Sequence, residues 1–173
     1  PIAVFAAAEL DEHQEPDGHP ERRGRLAASL AGIDSADLLD AVSFSEPRLV
    51  TEDELRRVHD TDMIEQVREL CAAGGGAIDA DTYAAAGAWE TARRAAGAVL
   101  DAVDALERDE CDLAFAGSRP PGHHAESGRS MGFCLFNNVA VAAAALAARG
   151  ERVAVVDWDV HHGNGTQALF ADH

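Results

Sequence analysis

An apolar run, residues 153–156, passes without a linker into Asp157-Trp158-Asp159-Val160-His161-His162-Gly163-Asn164-Gly165-Thr166-Gln167. No other stretch constrains the fold as tightly. An unbroken apolar run of this length reads as a fully buried parallel strand. Asp157, Asp159 and His161 then alternate with bulky residues, so in an extended chain they point to one side. Two carboxylates and an imidazole are therefore expected to converge past the carboxyl end of a strand, where open α/β sheets place their ligands. Gly163 and Gly165 permit the tight turn that must follow. Oxygen and imidazole donors suit Zn²⁺, with Fe²⁺ or Mn²⁺ as alternatives.

The rest of the chain supplies the frame. Residues 2–5, 41–44 and 112–117 are further strand candidates, and helical patterns lie between them. Arg25, Leu26 and Leu30 begin one helix. Thr51-Glu52-Asp53-Glu54 is a capping box for another, with Leu55 and Val58 on its buried side. A third starts near Asp62, puts Ile64, Val67 and Cys71 on one stripe, and ends at Gly74-Gly75-Gly76. Residues 83–107 form a long Ala-rich helix with Trp89, Ala92, Ala96, Val99, Val103 and Leu106 at helical spacing. Asn137 or Asn138 caps the helix before Arg149-Gly150. His59, between two helices, reads as a structural histidine. Strand and helix alternate throughout, which predicts an α/β fold with a mostly parallel sheet covered by helices on both faces.

Composition narrows the partners. The 173 residues carry a formal net charge of −17, and all 14 basic side chains are Arg, with no Lys. Such a surface repels nucleic acid and anionic membrane and attracts cationic substrates. An acidic, lysine-free, alanine-rich chain suits a high-salt cytoplasm; an acidic protein of a GC-rich genome is the alternative. Cys71, Cys111 and Cys134 form no C-x-x-C pair and read as reduced, buried thiols of a cytoplasmic protein. No segment has the length and apolarity of a membrane span.

A second constellation follows the strand candidate at 112–117. His123 and His124 come after Ser118-Arg119-Pro120-Pro121-Gly122, on the same rim as the metal candidates. A carboxylate or amide, from Asp157 or Asn164, could fix the tautomer of either ring. Two oriented histidines beside a metal-bound water are equipment for amide hydrolysis. Three segments together, Arg119-Pro120-Pro121-Gly122-His123-His124-Ala125, Gly132-Phe133-Cys134-Leu135-Phe136-Asn137-Asn138, and residues 156–167, resemble the zinc-dependent histone deacetylase superfamily. That group includes acetylpolyamine amidohydrolases and acetoin-utilisation proteins. Trp158 and Asn164 make the likeness closest to its class II branch. Gly18-His19-Pro20-Glu21-Arg22 and Asp79-Ala80-Asp81-Thr82-Tyr83 also match.

The resemblance implies the arginase/deacetylase-like three-layer α/β fold and a set of roles. Asp159 and His161 would be zinc ligands, and the family's third is an Asp further along. His124, paired with Asn164, would be the general acid and base. His123, paired with Asp157, would stay nearer its cationic form. Gly132 and Phe133 would line the substrate tunnel, Asp81 would grip substrate at its rim, and the backbone of residues 157–161 would help hold a structural K⁺. The substrate would be an acetylated lysine, amine or polyamine. Residues 1–173 are thus expected to be the N-terminal part of one deacetylase domain, inactive in isolation. The third ligand and the family's carbonyl-polarising tyrosine would lie beyond them, since the only tyrosine is Tyr83. Alternatives are an inactive fragment that binds metal or ligand, and an arginase-type ureohydrolase with two Mn²⁺, against which Trp158 and the histidine pair argue.

Overall fold

The structure, a computed structural model, describes residues 1–38 and 40–171. Residues 39, 172 and 173 of the expected domain lie outside the described residues. In chain order the elements are β1 (Ile2–Phe5), α1 (Arg23–Ser35), β2 (Val42–Ser45), α2 (Glu52–Leu55), α3 (Thr61–Ala72), β3 (Gly75–Ala77), β4 (Tyr83–Ala85), α4 (Ala88–Glu107), β5 (Leu113–Ala116), α5 (Asn138–Ala148) and α6 (Asn164–Phe170).

The strands expected near residues 2, 41 and 112 form one parallel sheet in the order β2-β1-β5. Its register pairs Ile2 with both Val42 and Leu113. Strand side chains alternate between faces. Ala3, Phe5 and Ala114 therefore share the face that packs with Ala105, near the end of α4, and Cys111 in the connection after it. On the other face Leu26 and Ser29 of α1 share a cavity wall with Phe115. Leu113 and Phe115 on that side remain 63% and 42% exposed.

The larger core lies between helices. Ala88, Ala92, Ala96 and Leu100 recur every four residues along α4 and are buried. Such a row of small side chains lets α5 approach with Val141, Ala142 and Ala145. The α3 stripe is as its spacing predicts: Met63, Ile64, Val67 and Cys71 are all buried. Thr51 caps α2 in a complete capping box, and Asn137 caps α5 by accepting from the Ala140 amide. All three cysteines are free and buried. No helix among the described residues is long and apolar enough to cross a membrane.

Two expectations are corrected. The long helix begins at Ala88, not at residue 83, because Tyr83–Ala85 pairs antiparallel with Gly75–Ala77. Gly74 and Gly75, at φ 104° and 90°, turn the chain out of α3 into that ribbon. The apolar run at 153–156 is not a buried strand either. It makes no ladder, and Val156 is 78% exposed, with Trp158 at 91% and Val160 at 92%. The run has the composition of a core strand, but no described strand edge lies beside it to take its hydrogen bonds.

Candidate active site

The chain leaves β5 through a buried Arg119 and a Pro-Pro-Gly turn and reaches His123 and His124. Their rings lie 4.0 Å apart between centroids, tilted by 50°. Each is held at Nδ1 by a residue from the far end of the chain. His123 Nδ1 lies 2.8 Å from Asp157 Oδ2, and His124 Nδ1 lies 2.7 Å from Asn164 Oδ1. A carboxylate and an amide oxygen accept only, so Nδ1 carries the proton in both rings and Nε2 keeps its lone pair in the neutral form. The His123 hydrogen bond holds the Asp157 carboxyl below its usual range.

These pairings depend on two glycines. A Cβ on Gly163 would stand 2.6 Å from Asp157 Oδ2, where His123 makes its bond. A Cβ on Gly132 would fall on the His124 ring itself. Gly132 and Phe133 have φ of 56° and 67°, the signature of a type I′ turn, closed by paired backbone bonds between Met131 and Cys134. The positive φ at Phe133 is costly for a residue with a side chain. Its amide is fixed by donating to Thr82 Oγ1 at 3.1 Å, and that hydroxyl donates to Asp81 Oδ1 at 3.1 Å. The expected tunnel wall and rim residue are thus tied together. Burial pushes the Cys134 thiol beneath this turn up to about 12, so it stays protonated.

Asp159 and His161 stand next to the histidine pair. Asp159 Oδ2 lies 2.9 Å from His161 Nδ1 and also accepts the His161 amide at 2.8 Å. Bonds from the His161 amide and ring keep the Asp159 carboxyl below its ordinary value. The His161 ring lies 6.1 Å from that of His124. Once zinc replaces the hydrogen that joins them, the Asp159 oxygen and the His161 ring nitrogen, side by side and open to solvent, fit the ion as two of its donors. The alternation read from the sequence is only partly realised: Asp157 turns to His123 instead of joining Asp159 and His161. Among the described residues, no three His, Cys, Asp or Glu side chains converge as a metal set.

Four features were given no role by the sequence reading. The Arg119 guanidinium, buried at 3% side-chain exposure, donates to both Glu21 oxygens at 2.7 Å and to Asp11 Oδ2 at 2.6 Å. It also donates to the His13 carbonyl at 2.8 Å. Burial raises the Asp11 carboxyl despite this pairing. His13 stacks on Tyr83, and burial takes its imidazole down to about 4, which keeps it neutral. His19 packs edge-on against both Tyr83 and Phe133. Glu126 accepts from Asn164 Nδ2 at 3.0 Å. The one available signal was that a buried Arg requires carboxylates, and the polar 11–21 loop is rich in them. His59 is structural by its bonds: Nδ1 meets the Glu126 carbonyl at 2.9 Å and Nε2 accepts the Asn137 amide at 2.9 Å.

A parallel sheet with two oxygen-oriented histidines beyond its carboxyl edge defines an α/β protein with a paired-imidazole site. Residues 19–173 match the family model described as histone deacetylase domain, and the chain belongs to that family. It is 43% identical to a histone deacetylase-like amidohydrolase of Pseudomonas aeruginosa over 87% of this chain and 40% of that one. It is 40% identical to a probable deacetylase of Methanothermobacter thermautotrophicus over 98% of this chain and 50% of that one. The solved HD domain of HDA15 superposes with a TM-score of 0.90 at 38% identity, over 98% of this chain and 50% of that one. The arginase/deacetylase-like fold expected from the sequence is therefore present. The chain spans between 40% and 58% of the length of the first curated relatives it matches.

Proposed function

We propose that the protein carrying this chain is a zinc-dependent amidohydrolase that releases acetate from acetyl-lysine or an acetylated amine or polyamine. The observation that carries the reading is the pair of oriented imidazoles, His123 on Asp157 and His124 on Asn164, beside Asp159 and His161. Asp159 and His161 would hold the metal, which when bound polarises a carbonyl and acidifies water.

The chain's own residues supply the proton transfers. With Nδ1–H engaged by Asn164, His124 keeps Nε2 free to take a proton from water as its oxygen adds to the amide carbon. His124 then returns that proton to the nitrogen as the C–N bond breaks, leaving acetate and a free amine. His123, held in place by the Asp157 carboxylate, would stand beside the carbonyl oxygen and stabilise the negative charge that develops on it. Phe133 offers an apolar wall to the stem of an extended amine, and Asp81 offers an exposed carboxylate to its amides. The reading extends to a structural K⁺ on the backbone of residues 157–161. Three free buried thiols support a cytoplasmic setting.

The test uses the intact zinc-loaded protein with an acetyl-lysine peptide and acetylputrescine. His124→Ala should lower turnover roughly a hundred- to ten-thousandfold with zinc retained. Asp159→Ala and His161→Ala should instead lose the zinc, read by elemental analysis. Turnover that survives His124→Ala within a few-fold would sink the acid–base assignment, and unchanged zinc in both ligand variants would sink the metal assignment.

A further inference from the structure

Asn164 is useful to His124 only one way round. Its amide has an oxygen end and an NH₂ end of nearly equal size, and a half-turn about the last side-chain bond exchanges them. With oxygen toward His124, Nδ1 is protonated and Nε2 keeps its lone pair. With NH₂ toward His124, Nδ1 must give up its proton and become the acceptor. The proton then sits on Nε2, and the ring cannot act as a base there.

What lies on the far side of the amide decides between these states. Asn164 Nδ2 stands 3.0 Å from Glu126 Oε1 and 3.6 Å from Met131 Sδ. An ionised carboxylate and a thioether accept hydrogen bonds and donate none. In the reversed amide, an oxygen would face a carboxylate oxygen and a sulfur, so the arrangement would be repulsive on that side. Glu126 is itself held at both ends of its backbone. Its carbonyl meets His59 Nδ1 at 2.9 Å, and its amide donates to the Arg129 carbonyl at 2.9 Å. Asn164 opens α6, whose Thr166 amide donates to the His123 carbonyl at 3.2 Å. The backbone of Glu126 is thus tied to His59 and Arg129, and the helix that carries Asn164 is tied to His123.

We propose that Glu126 is a positioning residue that sets the orientation of the Asn164 amide and through it the tautomer of His124. The inference rests on the acid–base role proposed for His124. Glu126 touches no reacting atom; it acts through one hydrogen bond, two residues removed from the chemistry.

The experiment exchanges the two groups in the intact protein. Glu126→Ala should lower turnover about ten- to a hundredfold, the usual cost of losing a partner that orients a site residue. Glu126→Gln, which can still present an oxygen, should recover most of it. Asn164→Asp should also be impaired, because it sets a carboxylate against Glu126. The double variant Asn164→Asp with Glu126→Gln should be more active than Asn164→Asp alone, since the introduced amide can then donate to the introduced carboxylate. The second readout is the ¹⁵N shift of the His124 ring in metal-free protein: Nδ1–H in the wild type, with Nε2–H appearing in Glu126→Ala. Wild-type turnover in Glu126→Ala, an unchanged ring tautomer, or no gain in the double variant would overturn the proposal. The exchange removes no side-chain volume, so it decides the matter even where Glu126→Ala fails to fold. A His124→Ala control that keeps its activity would refute the functional reading instead, and leave the amide orientation to be judged by the ring shifts.

Discussion

Replacing Arg119 with Met would leave two carboxylates, Asp11 and Glu21, at 3% and 2% side-chain exposure without the guanidinium that pairs with both. Breaking a buried ion cluster from one side costs about 3–5 kcal/mol, more than its net contribution, because the orphaned charges stay desolvated. The urea midpoint of Arg119→Met should fall accordingly. A change as small as that of an exposed pair such as Arg108–Glu110 would show that the cluster is wetter than its geometry implies. The damage should also reach the tunnel wall. Glu21 is two residues from His19, which accepts the Glu21 amide at 3.2 Å and packs on Phe133. Arg119 thus fixes the loop that backs the site on one side, as Asp157 and Asn164 fix the imidazoles on the other.

Within α2, one carboxylate serves two elements. Glu54 accepts the Thr51 amide at 2.8 Å to complete the capping box and also takes both terminal nitrogens of Arg48, at 2.7 and 2.9 Å. Arg48 in turn reaches Asp101 on α4 at 3.1 Å. The Arg48 hydrogen bonds take the Glu54 carboxyl from 4.5 down to about 2. A depressed carboxylate stabilises the fold fully above its ordinary value and loses that contribution as pH falls toward its folded value. The stability gap between wild type and Glu54→Gln, read as urea midpoints, should therefore be widest at neutral pH and close as pH approaches about 2. A gap that widens on acidification would refute the linkage. The capping box could be read in the sequence because its partners are three residues apart; the same is true of the α3 stripe and the Asn137 cap. The Arg119 cluster joins residues 98 and 108 apart, and the Glu126–Asn164 bond joins residues 38 apart. No local pattern carries such information. The histidine partners were the exception, legible through a family likeness and not through spacing. Residues 153–156 misled for another reason: apolar composition reports the environment a strand suits, while a strand exists only where a neighbour supplies hydrogen bonds.

Across the whole molecule, 31 acidic side chains face 14 arginines. Arginine pairs such as Arg56 with Glu52 and Asp53, Arg68 with Glu52, and Arg94 with Glu46 offset part of this excess. Unpaired carboxylates repel one another over a distance that salt shortens. The melting temperature should therefore rise as KCl goes from about 0.1 M into the molar range, where screening falls to a few ångströms. A flat or falling profile would favour an ordinary acidic protein over one adapted to a salt-rich cytoplasm. The pairs have one further property. Acetylation of a lysine deletes its charge and with it any ion pair it makes. All 14 Lys and Arg positions in these 173 residues are Arg, so none carries a lysine ammonium. The chain therefore offers no side-chain amine for acylation, and the modification it is proposed to remove from other molecules has no side-chain attachment point on this stretch of its own surface.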